Sequence, residues 1–239
     1  MKITLIVVVL IVGVLLFFVV PFIKKYSASK KLVADARPFF ITSSDTSIPV
    51  LILGDSTAVG VGAMRSEDTL PGRVSAYIGA TSVENYAKSG AVVADLEGQR
   101  IHAKLDHYTL ILIQIGGNDI IRFHDENEEA EKLKVLLQGL PSAGKVIVLS
   151  AGNVGGTTLF PFFLNKSYTK KSLAYHAAFE KVATESGVVY VNLYEDPKTD
   201  PFTKEPKVYL AKDGLHLSSE GYGLWFEKVK LHLTKRGSN

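Results

Sequence analysis

The sequence predicts an α/β domain on a five-stranded parallel sheet, preceded by one N-terminal transmembrane helix. Three patterns carry that expectation. Strand-like and helix-like segments alternate five times across short links, as in a parallel sheet covered by helices on both faces. Val50–Leu53 is a short unbroken apolar run, which suits a strand buried on both sides. Ahead of it, Ile3–Ile23 carries no charge and is long enough to cross a hydrocarbon core of about 30 Å as a helix.

Composition sets the outer bounds. With 239 residues, 46% of them hydrophobic and 21% charged, the chain suits one globular domain plus an appendage. It contains no cysteine, so disulfides, thiolate zinc sites and cysteine nucleophiles are excluded. The formal charge is +3, much of the excess lying in lysines just after the apolar segment. Arginine-rich tracts and basic runs interleaved with aromatics are missing, so no nucleic-acid partner is expected.

Taken in order, residues 1–24 are expected to anchor the chain in a membrane. Ser27, Ala28 and Ser29 resemble a signal-peptidase site, but the apolar run exceeds the ~7–15 residues of a cleaved signal. Residues 25–47 read as a polar tether, with Pro38 and the Ser/Thr cluster Thr42–Ser47. Lys24, Lys25, Lys30, Lys31 and Arg37 follow the segment and only Lys2 precedes it. That count favours a cytoplasmic domain.

The domain is expected over residues 48–239. Its strands are read as Val50–Leu53, Ser82–Tyr86, Thr109–Ile115, Lys145–Ser150 and Val188–Leu193. Helices are read as Thr69–Ile78, Val92–Leu105, Asn127–Gln138, Lys170–Ser186 and a closing Ser218–Leu233.

Chemistry-bearing residues sit at the ends of these strands. The first run stops at Gly54-Asp55-Ser56-Thr57, where Ser56 would present its hydroxyl beside the open N–H groups of a helix start. By itself such a serine is more readily a helix cap. Asp213-Gly214-Leu215-His216 precedes the last helix, and a spacing of three lets the carboxylate accept a hydrogen bond from Nδ1–H and leaves Nε2 to take a serine's proton. Gly116-Gly117-Asn118-Asp119 follows the third strand, with Asn118 able to point a neutral donor over the same sheet edge. Ser89-Gly90 follows the second, where a glycine lets an N–H approach a ligand closely.

Four such blocks in this order and spacing resemble the SGNH hydrolases of the GDSL esterase/lipase superfamily, over Val50 to about Tyr222. Leu217 departs from the proline that many relatives carry after the histidine. The resemblance implies a flavodoxin-like three-layer α/β/α sandwich. It also implies Ser56, Asp213 and His216 as catalytic residues, with an oxyanion hole from Ser56, Gly90 and Asn118. Substrates would be small-molecule, lipid or glycan esters cleaved through an acyl-enzyme on Ser56, without cofactor or metal. The family's many exported members pull the expected location to the extracytoplasmic side.

Asp55 and Asp119 are expected to brace the loops that aim Ser56 and Asn118, and His102, His107, His124 and His176 to be surface or packing residues. Leu159–Tyr168 (LFPFFLNKSY) reads either as a wall of the acyl pocket or as packed loop. Competing functions are an acyltransferase on the same site, an α/β-hydrolase built on GDSTA, a phosphatase with Mg²⁺ on Asp55 and Asp119, and a silent tethered binding module. In GDSTA, Ala58 stands where the GxSxG elbow has its second glycine, and a phosphatase explains neither Asn118 nor the Asp213–His216 pair.

Overall fold

Strand β1 (Pro49–Gly54) is buried along its whole length, because it has a parallel neighbour on each side and helices above and below. In the computed structural model, which describes residues 2–233 and, within the first helix, side chains at 13 and from 16 onward, β1 pairs with β2 (Ser82–Asn85) and β3 (His107–Gln114). β4 (Ser142–Leu149) and β5 (Val189–Val191) extend the sheet beyond β3. The order β2-β1-β3-β4-β5, with every pair parallel, is the flavodoxin-like one, whose ligand crevice opens where the winding reverses.

Alternation along the strands divides the core into two halves. Val50, Ile52, Leu110, Leu112, Ile147 and Leu149 face one side. There they meet α3 (Leu70–Ile78) and the last helix of the domain through Val74, Tyr222 and Trp225. Leu51, Leu53, Ile111, Ile113 and Val148 face the other side, under helices that contribute Leu96, Leu133, Tyr175 and Phe179. Those helices are α4 (Leu96–Arg100), α6 (Glu126–Gln138) and α7 (Asn165–Glu185). Two further short helices, α2 (Ser56–Val59) and α5 (Gly117–Ile121), start at the carboxyl ends of β1 and β3.

Three elements differ from expectation. The helix read over Val92–Leu105 is a 3₁₀ turn at Val93–Asp95 followed by α4 alone. β4 begins at Ser142, before the apolar run, because the ladder with β3 starts at His107↔Ser142. The segment from Asp200 to Tyr209, read as neither helix nor strand, forms α8 (Pro201–Lys204) and α9 (Pro206–Tyr209) ahead of α10 (Ser219–Lys230).

The N-terminal region forms one helix, α1 (Lys2–Asp35). Residues 25–47 are therefore not a free polar tether. Glycine and proline are absent from 22–37, so nothing stops the helix until the approach to Pro38. Leu32, Val33, Ala36, Phe39 and Ile41 then pack on the core, and Ile41 bridges to Val83. Most of the expected anchor, Ile3–Ile23, lies in the part of α1 whose side chains are outside the described residues. Among the described residues, no helix is long and apolar enough to cross a membrane.

Candidate active site

Ser56 takes its position from the abrupt end of β1. Gly54 adopts φ +152°, and a Cβ there would lie 2.1 Å from the Gln114 carbonyl oxygen, so only glycine lets the chain pass this close to β3 before it turns. Asp55 then caps α2. Its Oδ1 accepts from the Thr57 N–H at 2.9 Å and the Thr57 hydroxyl at 2.6 Å, and its carboxylate also receives the Gly117 N–H. Burial pushes the Asp55 carboxyl above its ordinary range, only partly offset by the hydrogen bonds from Thr57. Asp55 thus ties the Ser56 turn to the glycine turn after β3.

His216 meets Ser56 from the opposite end of the domain. Its Nε2 lies 3.1 Å from Ser56 Oγ, and its Nδ1 lies 2.5 Å from Asp213 Oδ2. Both residues are buried. The other Asp213 oxygen accepts from the Leu215 and His216 backbone N–H groups at 3.0 and 3.1 Å. Burial alone would push the Asp213 carboxyl up. The hydrogen bond and charge of His216, with the two backbone donors, outweigh it and hold the group below the usual carboxylate range. The carboxylate thus stays ionised beside Nδ1, which keeps Nε2 facing the serine as a proton acceptor.

Ser56, Gly90, Asn118 and His216 line one cleft of about 230 Å³. Asn118 donates one side-chain N–H to the Ala91 carbonyl at 2.9 Å, which fixes the amide and leaves its second N–H. Gly90 sits at φ +84°, and a Cβ there would meet nothing within 4 Å. Its requirement is therefore backbone conformation, not space. The cleft walls are apolar, with Ile121, Leu215, Leu217 and Trp225 from the domain and Val33 from α1.

Several positions were not legible as site residues. Gln99 of α4 donates to the Gly54 carbonyl at 2.9 Å and accepts from the Gly54 N–H at 2.8 Å. Asn85 donates to the Ala58 carbonyl at 2.9 Å and accepts from the Ala87 N–H at 3.0 Å. Both are buried amides that hold backbone next to Ser56, and neither lies in a motif. Ser29 and Val33 of α1 also line the cleft.

Other expectations sort by contact. Asp119 is buried and engaged by other partners than Asp55, its Oδ1 lying 3.1 Å from His124 Nδ1, which is 3.7 Å from Glu129 Oε1. A cation shared by Asp55 and Asp119 is thus not favoured, and within this trio Lys132 Nζ already sits 2.6 Å from Glu129 Oε1. His124, half-buried, packs against Asp119 and Glu129, the packing alternative of its expectation. His102 and His107 are exposed, the latter bonded to Ser142 Oγ at 2.9 Å, and His176 packs on Tyr190. Of the aromatic stretch, Phe160 packs tilted against Tyr168, while Phe162 and Phe163 are exposed beside Phe18 of α1. Leu159 to Phe162 line a groove against α1 and not the cleft that holds Ser56.

Comparison with known proteins agrees with the fold. A lipolytic protein of the G-D-S-L family from Veillonella parvula is similar at TM-score 0.62 and 18% identity, covering 80% of this chain and 100% of its own. A catalytic mutant of an acetylxylan esterase from Geobacillus stearothermophilus is similar at 0.57 and 18%, covering 79% and 94%. Phospholipase A1 from Streptomyces albidoflavus is similar at 0.56 and 19%, covering 77% and 99%. At such identities the likeness is one of fold. No curated protein matches the chain in sequence. Residues 52–224 match the GDSL-like lipase/acylhydrolase family, and with that span running from the serine turn past the aspartate–histidine turn, the chain belongs to this family of ester-bond hydrolases.

Proposed function

We propose that the chain is a serine esterase that works through an acyl-enzyme on Ser56, held at a membrane by its N-terminal helix. The observation that carries the reading is the relay Ser56 Oγ–His216 Nε2 at 3.1 Å and His216 Nδ1–Asp213 Oδ2 at 2.5 Å, set in the wall of an apolar cleft. As Ser56 attacks the ester carbonyl, His216 takes its proton, and Asp213 balances the imidazolium. The carbonyl oxygen gains negative charge and accepts hydrogen bonds from the Ser56 and Gly90 N–H groups and the free N–H of Asn118. The tetrahedral intermediate collapses, His216 protonates the leaving alcohol, and the acyl group stays on Ser56. Water, deprotonated by His216, repeats the sequence and releases the acid.

The apolar walls favour an alkyl or acyl group over a sugar. The uncharged Ile3–Ile23 run supports the tether; against the lysine count, the exported members of the family favour the extracytoplasmic face, so external protease on intact cells should digest the domain. A fluorophosphonate probe should form one adduct, on Ser56, lost in Ser56→Ala and slowed steeply in His216→Ala. Labelling that persists in Ser56→Ala would overturn the nucleophile.

A further inference from the structure

We infer, building on the tether reading above, that loop 158–164 and the exposed flank of α1 form one lipid-facing surface beside the catalytic cleft. Through it the site takes an ester-linked acyl chain presented by the bilayer.

α1 is itself a wall of the cleft, through Ser29 and Val33. Followed back toward its N-terminus, the same helix borders a second, apolar groove of about 440 Å³, closed on the far side by Leu159, Phe160 and Phe162. The two spaces adjoin, since Thr157 lines the cleft and Thr158 the groove. Two apolar spaces therefore lie end to end along α1 from Ser56 toward the uncharged segment, with Lys25, Ser29, Thr157 and Thr158 lining the stretch where they meet. From Val33 to Phe18 they span about 22 Å, at about 1.5 Å of rise per residue.

The loop meets α1 below the point where the apolar segment ends. Phe162 and Phe163 each pack on Phe18 with ring centroids 6.1 Å away. Phe18 lies about 8 Å along the axis from Ile23, the last residue before Lys24, a depth typical of interfacial insertion. Here Leu16, Phe17, Phe162 and Phe163 are 55%, 72%, 70% and 60% exposed. Such a contiguous apolar patch marks an interaction surface, and its continuity with the uncharged segment identifies the occupant as lipid. Lys24, Lys30 and Lys31 are exposed just above it, where phosphate headgroups would lie.

The loop is also wired to the catalytic turn. Lys25 Nζ donates to the Thr158 carbonyl, and the Thr158 and Leu159 N–H groups donate to the Gly214 carbonyl at 2.8 and 3.1 Å. Gly214 lies between Asp213 and His216. Seating the loop in the headgroup region therefore sets the height of the cleft above the lipid, with the scissile ester at the interface and its acyl chain along α1.

The chain has no cysteine, so Phe163→Cys in the full-length protein takes a single environment-sensitive NBD label. In phosphatidylcholine/phosphatidylglycerol vesicles the label should emit as in an apolar medium and be quenched by lipids spin-labelled at shallow acyl positions. A label at Val135→Cys, 68% exposed on α6, should remain water-like. A water-like signal at 163 in protein that floats with the vesicles overturns the inference alone. Protein that fails to float overturns the tether and the inference together, while Ser56 labelling reports the esterase reading separately.

In a second arm, Phe162→Ser/Phe163→Ser should lower hydrolysis of a long-chain ester in those vesicles about tenfold or more, with a water-soluble butyrate ester changed less than about twofold. Equal loss on both substrates, or loss on neither, overturns the inference.

Discussion

Replacing Gln99 by alanine tests how the fold holds the turn that carries Ser56. The Gln99 amide is 6% exposed and closes a two-way clamp on Gly54, accepting from its N–H at 2.8 Å and donating to its carbonyl at 2.9 Å. The carbonyl keeps a second donor, the Lys88 N–H at 3.1 Å. The N–H bonds to Gln99 because β2 stops pairing below this level, at Ile52↔Asn85. Truncation therefore orphans a buried N–H, costing about 1–3 kcal/mol, and removes one further hydrogen bond worth about 1 kcal/mol. The expected loss is about 2–4 kcal/mol in urea unfolding. Because Gly54 lies two residues before Ser56, slack there also loosens the aim of the hydroxyl. We expect kcat on a soluble ester to fall about tenfold with KM within about twofold, since misplacement by 1 Å costs up to about 100-fold. Gln99→Glu should rescue neither, because a carboxylate accepts from the Gly54 N–H but opposes its carbonyl. A Gln99→Ala protein within about 0.5 kcal/mol of the parent and with unchanged kcat would refute the clamp.

Asn118→Ala should lower kcat by about 100- to 1,000-fold while KM changes little, because its donor matters only as charge develops on the carbonyl oxygen; steady-state kinetics with a soluble ester decide it. Gly54→Ala should destabilise the domain by about 2–6 kcal/mol through overlap with the Gln114 carbonyl and a strained φ, read as a drop in urea midpoint. Burial pushes the Asp119 carboxyl up to about 6, against the hydrogen bond from His124. The folded state then holds this proton more tightly than the unfolded chain, where the group titrates near 3.8. Stability should therefore fall as pH rises from about 4 to about 6, by on the order of 2–3 kcal/mol, and Asp119→Asn should flatten that slope in urea titrations.

The central strands were legible because burial on both faces demands an unbroken apolar run, and Val50–Leu53 supplies one. β4 was legible only in its second half. Ser142, Ala143 and Gly144 carry no strand signal, and the ladder to His107 and Tyr108 recruits them. The helical length of residues 24–35 was hidden by its lysines, since it depends on Leu32 and Val33 finding the core. Within the site, Ser56, Asn118, Asp213 and His216 were legible because each sits in a short block at a strand end or helix start. Gln99 and Asn85 were not, because buried amides serving distant backbone leave no local pattern. The aromatic stretch was legible as apolar, but which surface it serves depends on where α1 runs.

Trapping the acyl-enzyme is the decisive test of the Ser56 relay. Rapid acid quench of the protein with a chromogenic butyrate ester, followed by peptide mass spectrometry, should find one butyryl group per chain, on the peptide carrying Ser56. Its formation should be slowed by orders of magnitude in His216→Ala. A burst of product with no acyl group on Ser56, or an acyl group on another residue, would contradict the relay from Asp213 through His216 to Ser56.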